Sequence, residues 1–458
     1  MTQASAARLP LIVVAASFGF LVTQLDVTIV NVALDAIGKA FDAPMAELQW
    51  VVDAYVLALA AMLLSAGALG DRIGPRKVFL AGLVLFAVAS AACGLANGPA
   101  ALIAARVAQG AAGALLVPPS LALIAHACHG DDKKRAWAVG WWTAAGGVSI
   151  AAGPVLGGLL IAALDWRWVF LVNLPLCAIG VALTLAVIPE APPKAKTPLD
   201  LPGQALALVA VTALVGAVIE GGRRGWGHPA PTLALVFGLL AVGAFLWVEA
   251  RGAHPVAPLS MFRQRAVSTA VLVGSALNFS YYGLVFVLGL YLQRAVGYPP
   301  AQAGLAFLPL TATFIVSNLV SGGLVARYGA ARVTTVGVLI AAGGYALTAR
   351  LGAGSSFLEM LPGFLMIPGG MGLAIPALTS GLLASVDRGI AGAATGVLNA
   401  CRQAGGAAGV AVFGALAAGG PERIVSGLRM SGVIAAGMLV AAACFVLLPL
   451  REKVSSEG

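Results

Sequence analysis

Long apolar runs, each closed by a short polar stretch, recur fourteen times along the chain. They lie near 10–33, 46–68, 78–96, 100–124, 136–163, 169–188, 200–220, 231–249, 266–292, 301–325, 333–351, 357–384, 391–418 and 429–449. A helix crosses the hydrocarbon core of a bilayer in about 20 residues, so each run is long enough to span. The pattern predicts an all-α polytopic membrane protein with fourteen spans. An even count puts both chain ends on one side.

The polar stretches decide which side. Alternate loops sort the basic residues into seventeen on the side holding both termini and eight on the other, while Arg106 and Arg402 fall inside spans. Lys and Arg accumulate in cytoplasmic loops, which predicts a cytoplasmic (inner) membrane protein with both termini inside. Arg223-Arg224 is the exception, on the outer side. No small-residue cleavage site follows the first run, so that span is expected to be retained. The tryptophans, Trp50, Trp137, Trp141, Trp142, Trp166, Trp168 and Trp226 among them, cluster near span ends and suggest an interfacial belt.

The chain also repeats itself. GALGDRIGPRK (67–77) after the second run and GGLVARYGAAR (322–332) after the tenth align at an offset of 255. Gly67, Leu69, Arg72 and Gly74 then meet Gly322, Leu324, Arg327 and Gly329, while Asp71 meets Ala326. The same offset pairs the first span with the ninth. It predicts a six-helix half at 1–190, a cytoplasmic linker and inserted helix pair at 191–255, and a second six-helix half at 256–458. PEAPPKAKTP (189–198) supplies the linker. Repeated halves with a binding site between them near the midplane are a transporter layout.

Composition narrows the class further. Residues are 60% hydrophobic and 10% charged, against about 25% charged in soluble domains. The net charge of +9 has no soluble basic domain to carry it, which argues against a nucleic-acid partner. Cys93, Cys128, Cys177, Cys401 and Cys444 are scattered singly, and the four histidines show no metal spacing. No cofactor, no metal and no enzymatic activity are expected, and the chain is expected to act as a monomer in the lipid bilayer. The 58 glycines suit helices that approach closely and slide.

The chemistry sits in the few charges inside spans. Asp26, in Leu25-Asp26-Val27-Thr28-Ile29-Val30-Asn31, is the only charge in its run. Insertion of an acid at a span centre costs about 2.5–3.5 kcal/mol, so such residues usually serve a function. With a rise of 1.5 Å per residue, Asp26, Asp53 and Arg106 all lie roughly 10 Å below the outer ends of spans one, two and four. An arginine within reach favours an ionised carboxylate, whereas burial away from charge favours the acid. A rearrangement that moves Arg106 relative to Asp26 would therefore bind and release a proton. Asp53 either shares that task, binds a cationic substrate or forms a structural ion pair with Arg106. Arg402, beside Asn399 and Gln403, would contact anionic substrate groups or helix-end carbonyls.

For a substrate wall, Asn278, Tyr281, Tyr282 and Val285 share one face of span nine. In lipid their polar tips would be unsatisfied, so the face should look inward. Phe286, Phe307, Asn31, Gln109, Asn399 and Arg402 complete the candidate lining, which suits amphiphilic organic molecules.

These residues together resemble the major facilitator superfamily, specifically its fourteen-span drug:proton antiporter branch, over nearly the whole chain. GALGDRIGPRK is similar to the loop signature between spans two and three, with Pro75 replacing a usual basic residue. LDVTIVNVAL (25–34), QWVVDAY (49–55), RVAQG (106–110), GPVLGG (153–158) and WRWVFLVNLP (166–175) resemble further motifs of the branch, in the right order. The resemblance implies a conformational latch at Gly67, Asp71, Arg72, Gly74 and Arg76. It also implies an antiporter motif at Gly153, Pro154, Gly157 and Gly158, whose glycines helix packing alone would explain.

The expectation is a proton-coupled antiporter that exports hydrophobic or cationic drug-like compounds by alternating access. A proton entering down about 150 mV supplies roughly 3.5 kcal/mol, enough for a gradient of several hundredfold. The rivals are an exporter of one endogenous metabolite (an amino acid, siderophore or host-made antibiotic), a lipid-acting membrane enzyme and a passive facilitator.

Overall fold

The computed structural model describes residues 3–128, 132–190, 201–252, 259–386 and 391–455. Most of the 189–198 linker lies outside the described residues. Among the described residues seventeen α-helices follow in chain order. They are α1 Gln3–Phe41, α2 Met45–Ile73, α3 Pro75–Gly94, α4 Pro99–Ala114, α5 Val117–Ala127 and α6 Asp132–Ala163. Next come α7 Trp168–Leu171, α8 Asn173–Val187, α9 Leu201–Arg224, α10 Pro229–Arg251, α11 Arg265–Leu290 and α12 Pro300–Ala306. The last are α13 Leu308–Tyr328, α14 Ala330–Thr348, α15 Phe357–Ser385, α16 Ala391–Leu416 and α17 Pro421–Ser455.

Among the described residues, thirteen helical stretches are long and apolar enough to cross a membrane. They match thirteen of the fourteen runs. The remaining run forms α16, as long a helix as its neighbours. Its glycines together with Asn399, Arg402 and Gln403 make it more polar than the rest.

Proline and glycine punctuate the helices as local chemistry requires. Proline stands in the first turn of α3, α4, α5, α10 and α13, where its missing N–H has no helical partner to lose. Ser356 and Glu359 form a capping box that starts α15. The repeat seen in the sequence has a backbone counterpart. Gly74 (φ 99°) ends α2 and opens α3, and Gly329 (φ 83°) does the same for α13 and α14. Both N–H groups return to the carbonyl four residues back, at 3.0 and 2.9 Å. A side chain at either position would be strained.

The fourth run differs from expectation. Instead of one continuous helix it breaks at Leu115-Leu116, where α4 ends and α5 begins. Pro118 and Pro119 lack N–H groups to continue the ladder. The tryptophans divide as well. Trp137, Trp141, Trp168 and Trp226 are exposed, but Trp142 and Trp166 are buried. Trp142 stacks on Phe20 with ring centroids 3.9 Å apart and donates to Ser120 Oγ at 3.0 Å, so packing rather than an interface holds it.

The chain forms two compact units. The first comprises 1–208 and 300–305; the second comprises 209–299 and 306–458. In the first, α1 lies against α6, α2 against α4, and α3 against α4 and α8. In the second, α11 lies against α16, and α14 against α15 and α17. Helices α9 and α10 are the least buried of the thirteen spans. Gly238 of α10 fits over Leu214 of α9, and Gly222 of α9 fits over Ala415 of α16.

Candidate functional site

Two helices of the first unit, α4 and α8, bring polar side chains to Asp26 of α1, which is fully buried. Arg106 of α4 donates from Nη1 to Asp26 Oδ2. Gln109, one turn further along α4, donates to Asp26 Oδ1 at 2.7 Å, and Asn173 of α8 donates to the same oxygen at 3.0 Å. Ser90 of α3 accepts from both amides, at 2.8 Å from Gln109 and 3.3 Å from Asn173.

Arg106 makes further contacts of its own. Its Nε donates to the Val51 carbonyl of α2 at 2.9 Å, and its Nη1 donates to Gln109 Oε1 at 2.7 Å. The guanidinium lies 4.2 Å from the centre of the Tyr55 ring, a cation–π contact. A charge in this interior needs both a counter-charge and hydrogen bonds, and the cluster supplies both. Close helix approach makes that possible. A Cβ on Gly110 would fall 2.2 Å from the Tyr55 carbonyl oxygen, so only glycine lets α4 sit this near α2. Asn173 Oδ1 is buried without a hydrogen bond among the described residues.

Asp53 stands apart from this network. It is fully buried, and both carboxylate oxygens lack hydrogen-bond partners among the described residues. The ion pair with Arg106 that the sequence allowed is not formed, because Arg106 is turned to Asp26. Asn31 does not join either. Its amide donates to the Val27 carbonyl of its own helix at 2.9 Å.

In the second unit, Arg402 of α16 donates from Nε to Asn278 Oδ1 of α11 at 3.2 Å and contacts Asn399 Oδ1 at 3.5 Å. Tyr281 and Tyr282 meet edge to face with centroids 5.6 Å apart. Asn278, Tyr281, Tyr282, Asn399 and Arg402 thus share one region of α11 and α16. Phe286 and Phe307 are packed in the helical interior. Tyr345 of α14 adds a buried hydroxyl without a hydrogen bond among the described residues.

In the 67–77 loop, Arg76 donates to the Leu185 carbonyl at 3.1 Å and lies 3.8 Å from Glu190 Oε1. Arg72 is exposed, Gly67 faces Pro118, and the Asp71 side chain lies outside the described residues. Gly153-Pro154 sits inside a continuous α6. A Cβ on Gly153 would meet Thr28 Oγ1 at 2.0 Å, and one on Gly157 would meet Ile29 Cγ1 at 2.9 Å. Gly158 faces the Pro300 carbonyl, and Gly304 faces that of Pro154. This glycine series therefore packs α6 against α1 and against residues 300–305 of the same unit. No cluster of three or more potential metal ligands occurs among the described residues.

Sequence reasoning found the charges but missed Ser90, Asn173 and Tyr55. Asn173 lies within the WRWVFLVNLP segment, so the segment was visible without the partner. Ser90 carries no signal of its own in an apolar run.

Comparison with known proteins agrees with this architecture. The chain is 37% identical over 402 residues to the methylenomycin A resistance protein of Streptomyces coelicolor, covering 88% of this chain and 84% of that protein. It is 36% identical over 408 residues to the multidrug resistance protein Stp of Mycobacterium tuberculosis, covering 89% and 76%. It is 36% identical over 458 residues to the cephamycin export protein CmcT of Amycolatopsis lactamdurans, covering 98% and 94%. The structure of the transporter PepTSo is similar in fold, with a TM-score of 0.69 at 15% identity over 97% of this chain and 98% of that one. The sequence pattern of the Major Facilitator Superfamily matches residues 16–410, and the chain belongs to that family.

Proposed function

We propose that the protein is a proton-coupled antiporter that exports hydrophobic, drug-like organic compounds across the cytoplasmic membrane by alternating access. The relatives named for multidrug resistance and for antibiotic resistance or export support the substrate class. The buried Asp26–Arg106 pair supports the coupling, and it is the observation that carries the reading. Fourteen spans with cytoplasmic ends follow if α16 crosses with its neighbours. In that layout the boundaries at 190 and 255 separate two six-helix halves from an inserted, lipid-facing pair, α9 and α10. A chain of this kind needs no cofactor and works as a monomer.

Asp26 is the proton site in this scheme. Arg106 is its counter-charge in this arrangement. Movement of α4 about the break at Leu115-Leu116 would draw Arg106 away, and an unpaired carboxylate in that interior takes up a proton. Asn173 is ready for that form, because rotating its amide turns the unpartnered Oδ1 toward the new hydroxyl. Asp53, buried without a hydrogen bond among the described residues, is the second proton carrier.

Gln109 belongs to this proton network rather than to the substrate wall. The wall comprises Asn278, Tyr281, Tyr282, Asn399 and Arg402. The loop at Gly67, Asp71, Arg72, Gly74 and Arg76 is a cytoplasmic latch, and Gly153, Pro154, Gly157 and Gly158 hold the outer part of the half closed.

The test is proton movement in everted vesicles carrying the full chain. Addition of a transported dye should dissipate an imposed pH gradient in proportion to dye uptake. Dye movement without proton movement would contradict the reading. An exporter of one host-made antibiotic is the second reading, favoured by the cephamycin export relative. Competition among chemically unrelated dyes for uptake separates the two.

A further inference from the structure

Arg402 has no acid to answer it in its half of the chain. Between Glu249 and Glu359 there is no Asp or Glu, and after Glu359 come only Asp387, Glu422, Glu452 and Glu457. Glu359 sits in the capping box of α15, Glu422 opens α17, and Asp387 lies between α15 and α16. All stand at helix ends or beyond them, whereas Arg402 is about 16 Å or more along α16 from either end. Its partners among the described residues are neutral amide oxygens, Asn278 at 3.2 Å and Asn399 at 3.5 Å. These occupy N–H groups but carry no charge to balance that of Arg402.

The surroundings complete a receptor for an oxygen anion. Tyr282 packs against Gly406, one turn beyond Arg402 on α16, where a Cβ would meet its ring at 2.8 Å. Tyr281 packs on Tyr282, and Tyr345 of the same unit adds a fully buried hydroxyl that is unpartnered among the described residues. Gly274 of α11 seats the stem of Arg402, since a Cβ there would meet Arg402 Cγ at 3.0 Å. Uncompensated charge in a span is costly and marks a ligand path. The planar fork of arginine matches a carboxylate with two parallel hydrogen bonds.

We propose that this region binds the acidic group, a carboxylate or an enolate, of an otherwise apolar organic substrate, with Arg402 as its counter-charge. The inference rests on the export reading and narrows its substrate class. Cationic compounds, which the sequence alone left open, are disfavoured at this wall by the same charge.

The test uses aromatic monocarboxylic acids with no second acidic group, paired with their methyl esters, including pyrenebutyric acid against its methyl ester. Transport is read in vesicles, and binding is read separately as thermal stabilisation of the purified full chain. The wild type should prefer acid over ester by about tenfold or more, the range expected of a charged hydrogen-bonded contact. Arg402→Gln should bring that ratio toward one, and Arg402→Lys should fall between. An unchanged ratio in Arg402→Gln, or no acid preference in the wild type, overturns the proposal. So does stabilisation by chloride alone, which would make this an inorganic-anion site. Acid binding that depends on Arg402 without proton-driven uptake would sink the export reading and leave the site standing.

Discussion

Asp26 accepts hydrogen bonds from three side chains on two helices, and one of the three donors, Arg106, carries the charge that balances it. Arg106→Ala should therefore destabilise the protein by about 3–5 kcal/mol, the cost of leaving one partner of a buried pair alone. Thermal unfolding in detergent measures it, and a loss well under that range would mean the pair contributes little. Asp53 predicts the opposite. Its carboxyl makes no hydrogen bond among the described residues, so Asp53→Leu should raise stability by roughly 1 kcal/mol, because an unsatisfied polar group is removed. Proton-driven transport should fall at the same time. Higher stability with unchanged coupling would make Asp53 a passenger. The acids and arginines were legible in the sequence because a charge in an apolar run is expensive wherever it ends up. Which of Asp26 and Asp53 holds Arg106 was not legible, since both lie at the same depth and only packing distinguishes them. Asn173 lies 147 residues from Asp26, a separation that no periodicity links.

The helices follow from hydrophobic runs, and their positions follow from the length of each run. What the runs do not encode is interruption and approach. The fourth run reads as unbroken because Leu115 and Leu116 are as apolar as their neighbours, although the paired prolines just beyond were the available sign. Gly110 carries the closest approach of α4 to α2. Gly110→Ala should cost about 1–3 kcal/mol through overpacking, since backbone cannot yield as a side-chain tip can. It should also weaken coupling, because Arg106 and Gln109 ride on the same helix. Wild-type stability in that variant would show that the two helices can separate freely. At the repeated turn, Gly74→Ala should cost about 1–2 kcal/mol from its left-handed backbone alone. A neutral result there would show that the turn relaxes.

At the scale of the whole molecule, transport depends on charge balance. If one proton enters as one organic anion leaves, two charges cross in the same electrical sense, against one for a neutral ester. Each charge is worth about 2.3 kcal/mol per 100 mV, or roughly fiftyfold in accumulation. An imposed potassium diffusion potential should therefore drive the acid more steeply than its ester, and equal slopes would contradict an anionic cargo. The offset of 255 residues shared by the two loop sequences also relates the positive-φ glycines Gly74 and Gly329. The central claim is that Asp26 couples proton entry to export. The most direct measurement compares two modes of transport in vesicles carrying the Asp26→Asn variant. Downhill exchange of labelled for unlabelled dye should persist, while accumulation driven by a pH step should fall to background. Accumulation at the wild-type level in that variant would contradict the account.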